Sequence, residues 1–225
     1  MKIKLEKNKI FFTSDTHYSH TNICRGVSGW RDEQGNVPVD QTRDFKSVSY
    51  MNDTIVNSIN GVVGDDDILF HLGDWSFGGF ENIEEFRNRI NCKNIHLILG
   101  NHDHHIERNK GDIQRLFSSV HQYLRLQVSV NFGGDHEFIL MHYPIASWHN
   151  MNDGVIHLHG HVHLPPNKKL AKGKAMDIGM DGNNMVPYSL GEIMNIMDKQ
   201  PISKLSLPQD HHEERLMGSK GSSSF

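Results

Sequence analysis

Leu99-Gly100-Asn101-His102-Asp103 places an amide, an imidazole and a carboxylate in three consecutive positions directly after the apolar run Ile95, Leu97, Ile98, Leu99. Such a run stopped by glycine predicts a buried strand whose carboxyl end opens into a loop, the place where open α/β sheets put their ligands. The same tripeptide also fits a solvated turn in which Asn and Asp bond their own backbone. Only the rest of the chain can decide between the two.

Working outward, the same punctuation recurs. Ile10 to Ser14 is β-branched and aromatic and ends in Asp15-Thr16-His17. On extended backbone that carboxylate and imidazole point the same way. Ile68-Leu69-Phe70-His71-Leu72 ends in Gly73-Asp74. Between these strands, Val48, Met51, Ile55 and Ile59 have helical spacing, and Ile83, Phe86 and Ile90 repeat it. Alternation of strand and helix predicts right-handed crossovers and a sheet covered by helices.

The second half changes character. Leu124, Leu126, Val128 and Val130 alternate with Arg125, Gln127, Ser129 and Asn131, and Gly133-Gly134-Asp135 turns the chain into Phe138-Ile139-Leu140-Met141, a hairpin by its turn chemistry. That strand runs into His142. Val155 to Leu158 runs into His159-Gly160-His161-Val162-His163, and Ala175 to Ile178 predicts a further strand. A weak helix is expected near residues 112–117. Ser189-Leu190-Gly191-Glu192 has the form of a capping box that opens the last helix.

The 225 residues suit one domain over 1–200, followed by a polar, Gly-Ser-containing flexible tail over 201–225. Residues 22–46 are polar and aperiodic, which predicts a long loop. No apolar h-region follows the start and no stretch is long enough to span a bilayer, so a cytoplasmic location is expected. Cys24 and Cys92 are too few for a disulfide framework and are expected to be buried thiols. A net charge of -4 gives no basic footprint for strong nonspecific binding of nucleic acid, whereas a small anionic substrate fits a local positive site. The 17 histidines are the outlying number, because imidazole is a common metal ligand.

Five strand ends therefore carry Asp15 and His17, Asp74, Asn101 and His102, His142, and His161 and His163. Two divalent ions held close together need a bridging carboxylate, nitrogen or oxygen ligands on each flank, and open positions for water and substrate. Mixed carboxylate, imidazole and amide donors suit Mn above all, with Fe, Ni, Zn or Co as alternatives.

Asp15-x-His17, Gly73-Asp74, Gly100-Asn101-His102-Asp103, His142 and Gly160-His161-Val162-His163 together resemble the calcineurin-like metallophosphoesterase superfamily, in that family's order. The resemblance implies an α/β (α+β) chain folded as a four-layer αββα sandwich. It places Asp15, His17 and His163 on one metal, Asn101, His142 and His161 on the other, and Asp74 between them. It makes His102 the catalytic residue that meets the phosphate and protonates the leaving oxygen. The implied reaction is hydrolysis of a phosphodiester, or a phosphomonoester, by direct attack of a hydroxide held between two divalent ions.

Within the superfamily, both arginines typical of Ser/Thr protein phosphatases are absent, as is the carboxylate that pairs their catalytic histidine, which leaves the partner of His102 open, with Asp103 one candidate. Lipid A pathway hydrolases carry Arg where His102 stands. The chain is most similar to small bacterial and phage phosphoesterases, through Asp15-Thr16-His17-Tyr18-Ser19-His20, His71 to Asp74, and Gly179-Met180-Asp181-Gly182-Asn183. His20, Arg31 and Arg43 are the expected substrate contacts, His20 also fitting a supporting role. With Arg25 and Trp30 they suit a small phosphorylated or nucleotide-like substrate. A nuclease acting on DNA or RNA is the alternative, and a silent scaffold of the same fold a more distant one. His157 and His159 are expected to pack rather than ligate, and His104, His105, His211 and His212 to be solvated. The oligomeric state stays open.

Overall fold

Ten strands and four α-helices are found among the described residues of the computed structural model, namely 1–5, 9–24, 43–108, 112–130, 134–165 and 173–203. In chain order they are β1 (Lys2–Leu5), β2 (Ile10–Thr13), α1 (Val48–Val62), β3 (Ile68–His71), α2 (Phe80–Arg89), β4 (Asn94–Ile98), α3 (His104–Arg108), β5 (Ser119–His121), β6 (Tyr123–Val130), β7 (Gly134–Met141), β8 (Ile156–His159), β9 (Ala175–Asp177), β10 (Tyr188–Ser189) and α4 (Leu190–Met197). The expectations placed on Arg25, Trp30, Arg31, His211, His212 and the tail from 204 onward lie outside the described residues.

The strands form two mixed five-stranded sheets, so the chain is α+β. In the first, β2, β3, β4 and β5 run parallel and β10 closes the edge antiparallel to β2. In the second the order is β1-β6-β7-β8-β9, with the β6–β7 hairpin its one antiparallel pair. The hairpin register runs from Tyr123 opposite Met141 to Val130 opposite Gly134.

Alternation of side chains along the first sheet divides the interior. Phe11, Leu69, Ile95 and Leu97 face Met51, Ile55 and Ile59 of α1 and Ile83 and Phe86 of α2. Ile10, Phe12, Phe70 and Ile98 point the other way, onto Leu126, Val128, Phe138, Leu140 and Leu158 of the second sheet. Each of these large side chains contributes about 1.5–3 kcal/mol by leaving water, which is what holds the two sheets together. Ser189 caps α4 by accepting from the Glu192 amide at 3.2 Å while Glu192 accepts from the Ser189 amide at 2.7 Å, the capping box read from sequence. Among the described residues the outer face of the second sheet is covered by Trp148 and Met151, on a 3₁₀ turn at Met151–Asp153, against Ile139 and Ala175. The weak helix expected at 112–117 is a single 3₁₀ turn, Ile113–Leu116. Cys24 and Cys92 are buried free thiols.

Parallel order has one consequence for function: the carboxyl ends of β2, β3 and β4 open on one edge of the first sheet. The loops after β7 and β8 meet them there.

Candidate metal centre

The loops after β2 and β3 continue the pairing of their strands. The amide of Asp15 donates to the Gly73 carbonyl, that of His17 to Asp74 and that of Tyr18 to Trp75, at 2.9, 2.9 and 3.2 Å. The loop after β4 joins through its side chain: the Asp103 carboxylate accepts from the amides of Gly100 and Asp74 at 2.8 Å and of Trp75 at 3.0 Å. Asp103 is thus a clamp between two loops and is fully engaged with backbone, not a partner of the His102 ring. Both views of the Asn-His-Asp tripeptide hold at once, the turn through Asp103 and the outward-facing site through its neighbours. Gly100 is obligatory here, because a Cβ on it would collide with the Asp74 side chain and amide.

Asp74 is the centre of the arrangement. Its Oδ2 lies 3.3 Å from His17 Nε2 and 3.5 Å from His142 Nε2, and its Oδ1 accepts from the His102 amide at 2.9 Å. Burial pushes its pKa up, but the hydrogen bonds from His142 and His17 outweigh this and hold it well below the usual carboxylate range. On one side, His17 Nε2 and His163 Nε2 stand 3.1 Å apart, with Asp15 Oδ1 3.8 Å from His163. On the other, Asn101 Oδ1 lies 3.1 Å from His142 Nε2 and 2.9 Å from His161 Nδ1. Asp15, His17 and His163 form one group able to hold a cation, and Asp74, His142 and His161 another.

The outer nitrogens decide whether this donor set fits metals. His142 Nδ1 donates to the Leu72 carbonyl at 2.7 Å, and His163 Nδ1 to Asp181 Oδ2 at 2.8 Å. His17 Nδ1 meets His20 Nδ1 at 3.1 Å. Three imidazoles therefore turn Nε2 inward with Nδ1 engaged from behind, and for His142 and His163 the oxygen behind the ring fixes Nδ1 as the donor, as in metal-binding histidines. Burial drives His17 down to about 3, so its ring is neutral. His142 is raised to about 9, burial being outweighed by Asp74 and Asp15, and burial raises Asp15 to about 6. A cation would replace the protons these groups compete for.

Five of the seven candidate ligands adopt left-handed backbone: Asp15 (φ 57°), His17 (48°), Asp74 (55°), His161 (75°) and His163 (49°). Asp and His tolerate that region better than most residues, yet it costs on the order of 1–3 kcal/mol each and persists only where the surroundings impose it. Here the lacing amides impose it, and His161 is further held by donating its amide to the Asp15 carboxylate at 3.0 Å.

One sequence expectation is corrected, and for His20 the supporting alternative is the one found. Arg43 is fully buried and does not reach a substrate: its Nε and Nη2 grip Asp181 at 2.8 and 3.1 Å, and Nη2 and Nη1 donate to the carbonyls of Asp15 and Thr16. It sits behind the first loop, with Asp181 passing its hold to His163. His20 is nearly buried as well; it backs His17 on one nitrogen and stacks on Phe77 with ring centroids 3.9 Å apart. Asp181, quoted in the sequence only as part of a late motif, is the residue whose role went unread.

His102 lies beside the centre, its ring 5.1 Å from His17 and 5.7 Å from both His20 and Phe77, and with His17 and Asp74 it forms a third group close enough to share a cation. His157 packs as expected: Nδ1 donates to the Ile139 carbonyl and Nε2 accepts from the Ile145 amide. Likewise His71 is internal. Its Nδ1 accepts from the Gly73 amide, so Nε2 donates to Thr16 Oγ1 at 2.9 Å, and Thr16 passes the bond to the Trp75 carbonyl.

No family model matches the chain. An uncharacterized protein of Methanocaldococcus jannaschii is 28% identical over 204 residues, covering 88% of this chain and 96% of that protein. The Gene 66 protein of Mycobacterium phage L5 is 29% identical over 175 residues, 69% of this chain and 77% of its own. Among solved structures, a protein of unknown function from Aquifex aeolicus superposes over 84% of this chain and all of its own, with a TM-score of 0.59 at 20% identity, which speaks for the fold alone. No helix among the described residues is long and apolar enough to cross a membrane.

Proposed function

We propose that the chain is a dinuclear metal-dependent phosphoesterase of the calcineurin-like kind, its two sheets being the inner layers of that family's αββα sandwich, and that it hydrolyses phosphodiester bonds of a small substrate. One observation carries this: a buried carboxylate, Asp74, stands between two sets of nitrogen and oxygen donors, three of whose imidazoles turn Nε2 inward because their Nδ1 is held from behind. Asp15, His17 and His163 would hold one ion, Asn101, His142 and His161 the other, and Asp74 both. The donor set suits manganese, with iron, nickel, zinc or cobalt as alternatives. Bound there, two divalent cations supply a water activated at neutral pH and neutralise charge on the phosphoryl oxygens.

The chain's own residues do the rest. Asp74 fixes the His102 backbone through the amide bond, so the imidazole stands at the rim beside the donor cluster. From there His102 can meet a phosphoryl oxygen and hand a proton to the leaving oxygen, work that requires a positioned imidazole. Phe77 and His20 flank that imidazole on one side, each with its ring centroid 5.7 Å away.

The test is turnover of bis-p-nitrophenyl phosphate, p-nitrophenyl phosphate, cyclic nucleotides and single-stranded DNA with manganese, side by side. Diester turnover is expected to dominate, and His102→Ala is expected to lower it 10²- to 10⁴-fold while metal content stays near two ions per chain. No turnover with any divalent metal would sink the proposal. Loss of an ion in His102→Ala would make His102 a ligand instead.

A further inference from the structure

Two cavities flank the loop that carries Asn101 and His102, and they differ in chemistry. The one on the His102 side, about 220 Å³, is lined among the described residues by Phe77, Gly78, Gly79, Ile83, His102 and His105. The one on the Asn101 side, about 300 Å³, is lined by Asn101, Glu107, Gln122, Met141 and Tyr143. His104 borders both, so the loop is their common wall. A phosphodiester carries two substituents on one phosphorus, and a centre between two cavities, one walled by the Phe77 ring and the other by the Glu107 and Gln122 side chains, suits a diester whose two substituents are unlike.

We infer that the His102 cavity receives a flat aromatic or heteroaromatic group on the leaving oxygen, and that the Asn101 cavity receives a neutral polar group. The inference rests on the phosphoesterase reading and names its substrate class. Phe77 carries it. This ring is 40% exposed, yet one face is fixed parallel to His20, 3° from coplanar. A rigid ring with one face already covered offers the other for stacking. Just outside the cavity, Phe80, 46% exposed, packs against His105 of its wall. The volume fits one ring system, since a dry cavity of about 150 Å³ already admits benzene. Gly79, with positive φ, has open space where a side chain would stand, and Gly78 beside it carries none.

On the other flank, the Glu107 carboxylate accepts from Gln122 Nε2 at 2.8 Å and sets a negative charge in the wall. A further phosphate there would meet like charge, which disfavours a continuing nucleic-acid strand and favours a substituent with hydroxyl or amide groups. Hydrolysis breaks the P–O bond to the ring-bearing group. Water gives phosphorus its OH and gives the departing oxygen its proton, relayed by His102.

The experiment compares the methyl monoesters of benzylphosphonate and cyclohexylmethylphosphonate, which have equal charge and carbon in place of the leaving oxygen, as ligands of the manganese-loaded chain. Inhibition of bis-p-nitrophenyl phosphate turnover and calorimetric binding are both read. The benzyl compound is expected to bind roughly three- to tenfold more tightly. Phe77→Leu should bring that ratio to about one with metal content unchanged, and Phe77→Tyr, which keeps the ring, should preserve it. A ratio near one in the unaltered protein, or one that survives Phe77→Leu, overturns the inference. Absent turnover with the calorimetric ratio intact would instead remove the phosphoesterase reading and leave the ring site standing.

Discussion

On one side of Asp74, His163 is backed by a buried carboxylate that is itself held by a fully buried guanidinium, and His17 is backed by His20; on the other, His142 is backed by a backbone carbonyl and His161 is the least buried of the four. The first half also contains the charged Asp15, where the second has the neutral Asn101. Charge and orientation are thus concentrated in one half and openness in the other. This teaches that a nearly symmetrical set of candidate ligand types can be embedded asymmetrically, one half fixed as part of the framework and the other left more open.

The largest effect should come from Arg43→Met, which leaves Asp181 buried without its guanidinium. Urea unfolding is expected to show a loss of about 3–5 kcal/mol, and manganese titration a 10- to 100-fold weakening of the tighter step only. Equal weakening of both steps would abolish the comparison. Arg43→Lys should restore little, because an ammonium cannot supply the forked pair of bonds to Asp181.

Next in size is a measurement that separates the fold from both halves. His157 is buried away from the centre, and burial lowers it to about 4 from an ordinary 6.5. Between those values the unfolded chain takes up a proton that the folded chain refuses, so stability falls as pH drops from about 6.5 to about 4. In the metal-free protein, the share of acid destabilisation that disappears in His157→Gln is expected to reach on the order of 3 kcal/mol at pH 4. A pH profile that His157→Gln leaves unaltered would show that the ring is not held neutral.

The smallest effect sharpens the comparison from the open side. His161→Ala should weaken the looser manganese step at least about tenfold while shifting unfolding by no more than about 0.5 kcal/mol. A large loss of stability would mean that this half is framework too.

The strand ends were legible in the sequence because each follows an apolar run of four or five residues, and burial of such a run fixes where the polar residue after it must emerge. Asp15, His17, Asp74, Asn101, His142, His161 and His163 could be read in that way. The edge strands β1, β5 and β10 could not, since Lys2–Leu5, Ser119–His121 and Tyr188–Ser189 contain no continuous apolar run; only the Lys2-Ile3-Lys4-Leu5 alternation hints at β1. Arg43 was misread for a physical reason. A guanidinium in a polar loop is solvated by default, and the carboxylate that draws it inside lies 138 residues away. Phe77 escaped notice because one aromatic in a Gly-rich loop has no period. Only its contact with His20 gives it meaning.

The pairing of Arg43 with Asp181 also sets an order of assembly. Asn101, His142 and His161 are all part of the chain once His161 has been added, but the half that contains Asp15, His17 and His163 lacks its brace until Asp181 follows. The part of the centre begun first by the chain, at Asp15, is therefore the part finished last, and a chain ending between His163 and Asp181 would have every candidate ligand and no carboxylate behind His163.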